Sequence, residues 1–177
     1  GKAPVLVDDG TTLVESAAII EYLVAKYGTG RFKPKEGTSE FLRYTFWMHF
    51  AEGSAMTPLL LKIVFDKISN PPIPFFVKPF ILPVARGIAG QVRKLVIDPN
   101  LKCHQDYIES ELNRSKWFVG DEFSAADVQM SFVVEAHAAR TNMAASHPRM
   151  TDFLGQIHKR PAYKRALEAG GPYSLAI

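Results

Sequence analysis

The chain has 177 residues, of which 47% are hydrophobic and 22% charged, with a formal net charge of +3 from 21 basic and 18 acidic side chains. These proportions suit a soluble globular protein of one large or two small domains and exclude a disordered or fibrous chain. The basic residues are scattered, with no run longer than two, so no electrostatic stripe for nucleic acid is present.

The first ten residues lack the charged head and long apolar stretch of a signal peptide. Val5-Leu6-Val7 runs into Asp8-Asp9-Gly10 and then Thr11-Thr12-Leu13-Val14, which reads as two strands joined by a tight turn. Ser16 reads as the cap of a helix carrying Ile19, Ile20, Leu23, Val24 and Tyr27 at helical spacing, with Gly28 as its terminator. Residues 29–38, with Gly30, Pro34 and Gly37, read as a linker.

Everything after the linker reads helical. Ser39 is placed to cap a helix through Phe50, which Gly53 should loosen and Pro58 should kink or break. Residues 69–74 form a loop, and a helix is predicted over 79–97. The apolar run Ile73 to Ala85 is too short and too rich in proline to span a membrane, though it could lie on one. Asp98-Pro99 reads as cap and first turn of the next helix, to about Arg114. Phe123-Ser124-Ala125-Ala126-Asp127-Val128 has the form of a capping box with a hydrophobic staple, opening a helix to about Arg140. Two helices follow, near 148–159 and 161–169.

The fold class is therefore mainly α: an all-helical region, 39–177, preceded by a hairpin and helix, 1–28, with 29–38 between them. A two-stranded hairpin with one helix is not stable alone, and its first strand has an unpaired edge, which points to missing or borrowed strands. The one cysteine, Cys103, cannot form an internal disulfide, so a reducing compartment, the cytoplasm, is expected. It precedes His104 near a helix start, with no base to pair it in the expected cleft, and reads as structural. His49 and His137 read as core or capping residues. The histidines show no metal-ligand spacing, so no metal is expected.

Gly1-Lys2-Ala3-Pro4-Val5-Leu6-Val7-Asp8-Asp9-Gly10 followed by Leu13-Val14-Glu15-Ser16-Ala17-Ala18-Ile19 resembles the second half of the thioredoxin-like N-terminal domain of glutathione transferases. The stretch from Arg43 to Ser54 and the proline-rich insert at 71–83 resemble the fungal GTT-type branch. Phe123 to Asp127 resembles the capping motif of the family's helical C-terminal domain, and Lys159 to Ala166 is similar to its last common helix. The resemblance departs at the start. In the family a strand–helix–strand of about 50 residues precedes the position of Gly1 and carries the Ser, Tyr or Cys that activates the thiol. No residue here matches it, so the catalytic residue is unknown, and a longer reading frame upstream is expected.

By this resemblance Pro4 follows a cis bond, the Ala3 backbone pairs with the cysteinyl part of glutathione, and Lys2 meets its glycyl carboxylate. Taken alone, Pro4 is equally a strand-starting proline and Lys2 a solvated lysine. Glu15-Ser16 lies at a helix N-terminus, which favours an anion. The resemblance gives Ser16 the γ-glutamyl carboxylate and Glu15 the α-ammonium; the alternative is a plain cap. Tyr44, Trp47, Met48 and Ala51 share one helix face and are expected to line an apolar cleft for a hydrophobic small molecule, or else to belong to core or dimer contacts. The implied protein is a cytoplasmic, homodimeric glutathione transferase performing conjugation, reduction or isomerisation, with glutathione as co-substrate. Its alternatives are a truncated or divergent enzyme of a specialised fungal pathway and a non-catalytic ligand-binding protein.

Overall fold

The computed structural model describes residues 3–171. Asp9 and Gly10 both take positive φ, 47° and 77°, the type I′ geometry that matches the twist of paired strands. They join β1 (Val5–Asp8) to β2 (Thr11–Val14), with Val5 opposite Val14. Among the described residues β1 pairs with β2 alone, and Val5 and Val7 are exposed. The helix α1 (Ser16–Tyr27) is clamped to the turn by Lys26, which reaches Asp8 at 2.8 Å and Asp9 at 2.6 Å. Tyr27 and Tyr22 also donate to Asp8. Hydrogen bonds from Lys26 and Tyr27 hold the Asp8 carboxyl down at about 2. α1 ends at Gly28, where any Cβ would fall 2.3 Å from the Val24 carbonyl oxygen.

The next helix, α2 (Ser39–Phe50), begins one residue earlier than its predicted cap implies. Thr38 is the cap, accepting from the Phe41 amide at 3.2 Å, and Ser39 is already helical. The helix loosens at Gly53, as expected, but the break allowed for at Pro58 is absent. α2 runs through a π-turn (Ala51–Ala55) into α3 (Met56–Ser69), and Pro58 sits in the first turn of α3. A proline inside a helix removes one hydrogen bond and crowds the preceding turn. A single wide turn just upstream shifts the register, so the path stays helical. The same device recurs where a π-turn (Arg93–Ile97) joins α4 (Lys78–Val92) to α5 (Asp98–Leu112) ahead of Pro99. Asp98 is consequently helical, with φ −63°, and not the predicted cap. The Asn100 side chain donates to the Val96 carbonyl at 2.7 Å.

α6 (Ala125–Arg140) is the helix around which the others pack. Its predicted capping box is present. Asp127 accepts from the Ser124 amide at 2.7 Å and the Phe118 amide at 2.8 Å, so it ties the preceding loop to the helix start. A short α7 (Met143–Ser146) leads to α8 (Pro148–Lys159) and α9 (Pro161–Gly170). The free amides of Arg149 and Met150 at the start of α8 each donate to the Glu109 carboxylate of α5 at 2.9 Å.

The main core is aromatic at its centre. Trp47 lies 4.6 Å from Phe118 between ring centroids, and Phe118 lies 5.0 Å from Phe153. Ala17, Ile20 and Val24 of α1 pack on this cluster, and the Phe32 carbonyl accepts from the Ala125 amide at 2.8 Å. These contacts seat the hairpin and α1 on α6. No helix among the described residues is long and apolar enough to cross a membrane.

Candidate functional site

The hairpin register assembles the site. Because Val5 pairs with Val14, the segments Ala3-Pro4 and Glu15-Ser16 leave the sheet side by side. The Ala3-Pro4 peptide bond is cis, as the resemblance implies. Glu15 has φ 72° and ψ 124°, a conformation that costs a residue with a Cβ about 1–3 kcal/mol and concentrates at ligand sites. Lys2 lies outside the described residues.

The cap position of α1 falls on Glu15, and Ser16 is already the first helical residue, which corrects the predicted cap. The Ser16 hydroxyl donates to Glu52 Oε1 at 2.6 Å. Gln129 Nε2 donates to Ser16 Oγ at 3.2 Å and also to Glu52 Oε1. Glu52 is carried on the π-turn after α2, and Gln129, only 6% exposed, on α6. The cluster thus spans the junction between the hairpin unit and the helices. It combines free amides at a helix start with a hydroxyl, a carboxamide and the Glu52 carboxylate, and Glu15 precedes Ser16 in the chain. Amides and hydroxyl suit an anion, and the carboxylate suits a cation beside it, which is the charge pattern of an α-amino acid group.

Sequence reasoning missed both partners of Ser16. Glu52 lies in the His49–Ser54 stretch, which read as a mark of kinship and not as a site. Gln129 was legible as a polar side chain on the inward stripe of α6, two residues past Asp127, but nothing in its spacing shows that it reaches residue 16.

The four residues expected to line an apolar cleft take the core alternative. Tyr44, Trp47, Met48 and Ala51 are 1%, 1%, 3% and 0% exposed and belong to the main cluster. The same helix stripe that matched a cleft lining is the one that packs against Phe118 and α6. The Tyr44 hydroxyl is buried without a partner, and burial pushes it up to about 12. An apolar groove of about 410 Å³ lies instead between α1, α6 and α9, lined by Ile20, Leu23, Val24, Phe123 and Tyr163. His137 is a core residue, whereas His49 is exposed in the last turn of α2 and Cys103 is exposed on α5. Among the described residues no group of three or more His, Cys, Asp or Glu is arranged to hold a metal.

A two-stranded hairpin feeding a helix N-terminus, docked on an all-helical bundle, is the architecture that these elements define. Residues 1–33 match the glutathione S-transferase N-terminal domain, and residues 88–170 match the glutathione S-transferase C-terminal domain. Glutathione S-transferase 3 of Schizosaccharomyces pombe is 36% identical over 172 residues, covering 95% of this chain and 67% of that protein. The chain belongs to the glutathione S-transferase family. Glutathione S-transferase 1 of Saccharomyces cerevisiae is 23% identical over 176 residues, covering 95% of this chain and 74% of its own length. Among solved structures, a glutathione S-transferase of Actinobacillus pleuropneumoniae superposes with a TM-score of 0.75 at 28% identity, over 99% of this chain and 73% of that one. A sphingomonad glutathione S-transferase, solved in complex with glutathione, superposes at 0.69 with 24% identity over 97% and 75% of the two chains, a likeness of fold.

Proposed function

We propose that this chain holds glutathione at the Ala3-Pro4 and Glu15-Ser16 junction and presents its sulfur to a hydrophobic electrophile, for conjugation, reduction or isomerisation. The observation that carries the reading is the hydrogen-bonded cluster of Ser16, Glu52 and Gln129 at the N-terminus of α1. The γ-glutamyl carboxylate takes the Ser16 hydroxyl and the free amides of α1, and the α-ammonium takes Glu52 with Glu15. The Ala3 backbone pairs with the cysteinyl unit, and Lys2 meets the glycyl carboxylate. Residues 1–28 act as the glutathione-holding unit and 39–177 as the helical unit, joined by 29–38. No described residue is assigned to thiol activation.

The 36% identity with the fission-yeast relative supports placement in the fungal GTT-type branch, and the single exposed Cys103 supports a reducing, cytoplasmic setting. Membership of the glutathione S-transferase family supports a homodimer. Calorimetric titration of glutathione into the 177-residue chain tests the binding reading. Heat of binding that disappears in Ser16→Ala supports it, and a titration with no heat for the unaltered chain overturns it.

A further inference from the structure

Half of the exposed large hydrophobic side chains among the described residues lie between Leu60 and Val96. Phe75 is 83% exposed, Phe76 64% and Phe80 76%. They stand where the connection from α3 turns into α4. Along α4, Phe80, Ile81, Val84 and Ile88 fall within about 100° around the helix axis, a continuous apolar stripe that faces solvent. Leu60, Val64 and Ile68 form a second exposed row on α3, which packs against α4. Singly scattered apolar side chains are ordinary on a surface; a clustered face is a docking site.

Charge selects the occupant. Residues 59–97 hold six basic side chains, Lys62, Lys67, Lys78, Arg86, Arg93 and Lys94, and one acid, Asp66. That is a net +5 in a chain whose total is +3, leaving −2 on the rest. Asp66 is already paired with Lys62 and Arg93. Lys67 at the end of α3 and Lys78 at the start of α4 flank the phenylalanines, exposed and without an ion pair among the described residues. A second copy of this chain would bring +5 against +5. An acidic surface that also accepts aromatic rings answers both features, and the interface of an anionic bilayer is one.

We propose that the α3–α4 helical hairpin, led by Phe75, Phe76 and Phe80, is a peripheral docking surface for an anionic lipid bilayer. The rings enter the boundary between headgroups and acyl chains, while Lys67 and Lys78 stay at phosphate level. No helix among the described residues is long and apolar enough to cross the bilayer. The surface includes neither Ser16 nor Glu52, so it stands independently of the glutathione reading.

Co-sedimentation with two sets of vesicles tests it, one of phosphatidylcholine and one with about 30% phosphatidylserine. The chain pellets with the anionic vesicles, about tenfold less with the neutral ones, and is released near 1 M salt. Phe75→Ser/Phe76→Ser/Phe80→Ser lowers the anionic-bound fraction about tenfold, and Lys67→Glu/Lys78→Glu does the same. All five positions are exposed, so both variants keep the thermal midpoint of the parent. Failure of the parent to pellet with anionic vesicles overturns the proposal, as does undiminished pelleting of the triple variant. Light scattering run alongside gives the other overturning result: a dimer that becomes a monomer in the triple variant, with no vesicle binding, assigns this face to a second copy.

Discussion

The Ser16 hydroxyl donates to the Glu52 carboxylate at 2.6 Å, across 36 residues and from the hairpin unit to the helices. The pair makes the start of α1 a site with a fixed negative group beside free amides. Glu52→Gln keeps a hydrogen-bond acceptor for Ser16 but removes the charge that would meet the γ-glutamyl ammonium. Glutathione affinity should fall about 10- to 100-fold, corresponding to about 1.5–3 kcal/mol for a charged hydrogen bond. Calorimetry at neutral pH measures it. Unchanged affinity in this variant would remove Glu52 from the site and leave Glu15 alone to meet the ammonium.

Asp127 is the structural counterpart of that pair. Burial pushes its carboxyl up to about 6 against the opposing pull of the Phe118 and Ser124 amides. Asp127→Ala leaves two buried amides without an acceptor and dissolves the cap of the central helix. We expect a loss of about 2–4 kcal/mol in urea unfolding. Asp127→Asn retains one acceptor oxygen and should cost clearly less. Equal losses in both variants would show that the one acceptor oxygen kept by Asn does not stand in for the carboxylate.

The ease of reading Asp127 from sequence, and the difficulty with Glu52, have one physical cause. The capping box, the type I′ turn at Asp9-Gly10 and the helix stop at Gly28 are local: side chain and backbone partner lie within four residues, so spacing alone specifies them. The π-turns at Ala51–Ala55 and Arg93–Ile97 were invisible because proline signals a break in an isolated helix, whereas packing of α2 and α3 on the core repays the lost hydrogen bond. The meeting of Ser16, Glu52 and Gln129 is a product of docking. Its separations, 36 and 113 residues from Ser16, leave no periodic trace. Tyr44 and Trp47 show the converse, since an apolar helix stripe specifies burial without saying whether a ligand or a core lies against it.

Tyr44 supplies a direct comparison of those two outcomes. Its hydroxyl is buried and unpartnered, so its desolvation is uncompensated. Tyr44→Phe removes the oxygen and preserves the ring packing. Stability should be unchanged or rise by up to about 1 kcal/mol, with glutathione binding unaffected. A clear loss of ligand affinity would return Tyr44 to the site.

His137 predicts an acid-sensitive step. It is fully buried on α6, and neither ring nitrogen has a partner. Burial, with the like charges of His104 and His147 facing it, pushes its pKa down from 6.5 to about 4. The unfolded chain therefore binds a proton between pH 6.5 and 4 that the folded chain refuses. Stability from this group is fully present above 6.5 and is lost as pH falls through that window, by about 3 kcal/mol over the whole of it. Asp127 works in the opposite sense, since its raised pKa makes the folded state retain a proton there. The two are separable because His137→Leu keeps Asp127 intact. Comparing urea unfolding at pH 7.5 and 4.5, the parent should lose about 2–3 kcal/mol more than the variant. Equal losses would mean that the folded protein admits the proton at His137, and that α6 opens to water at its C-terminal end in acid.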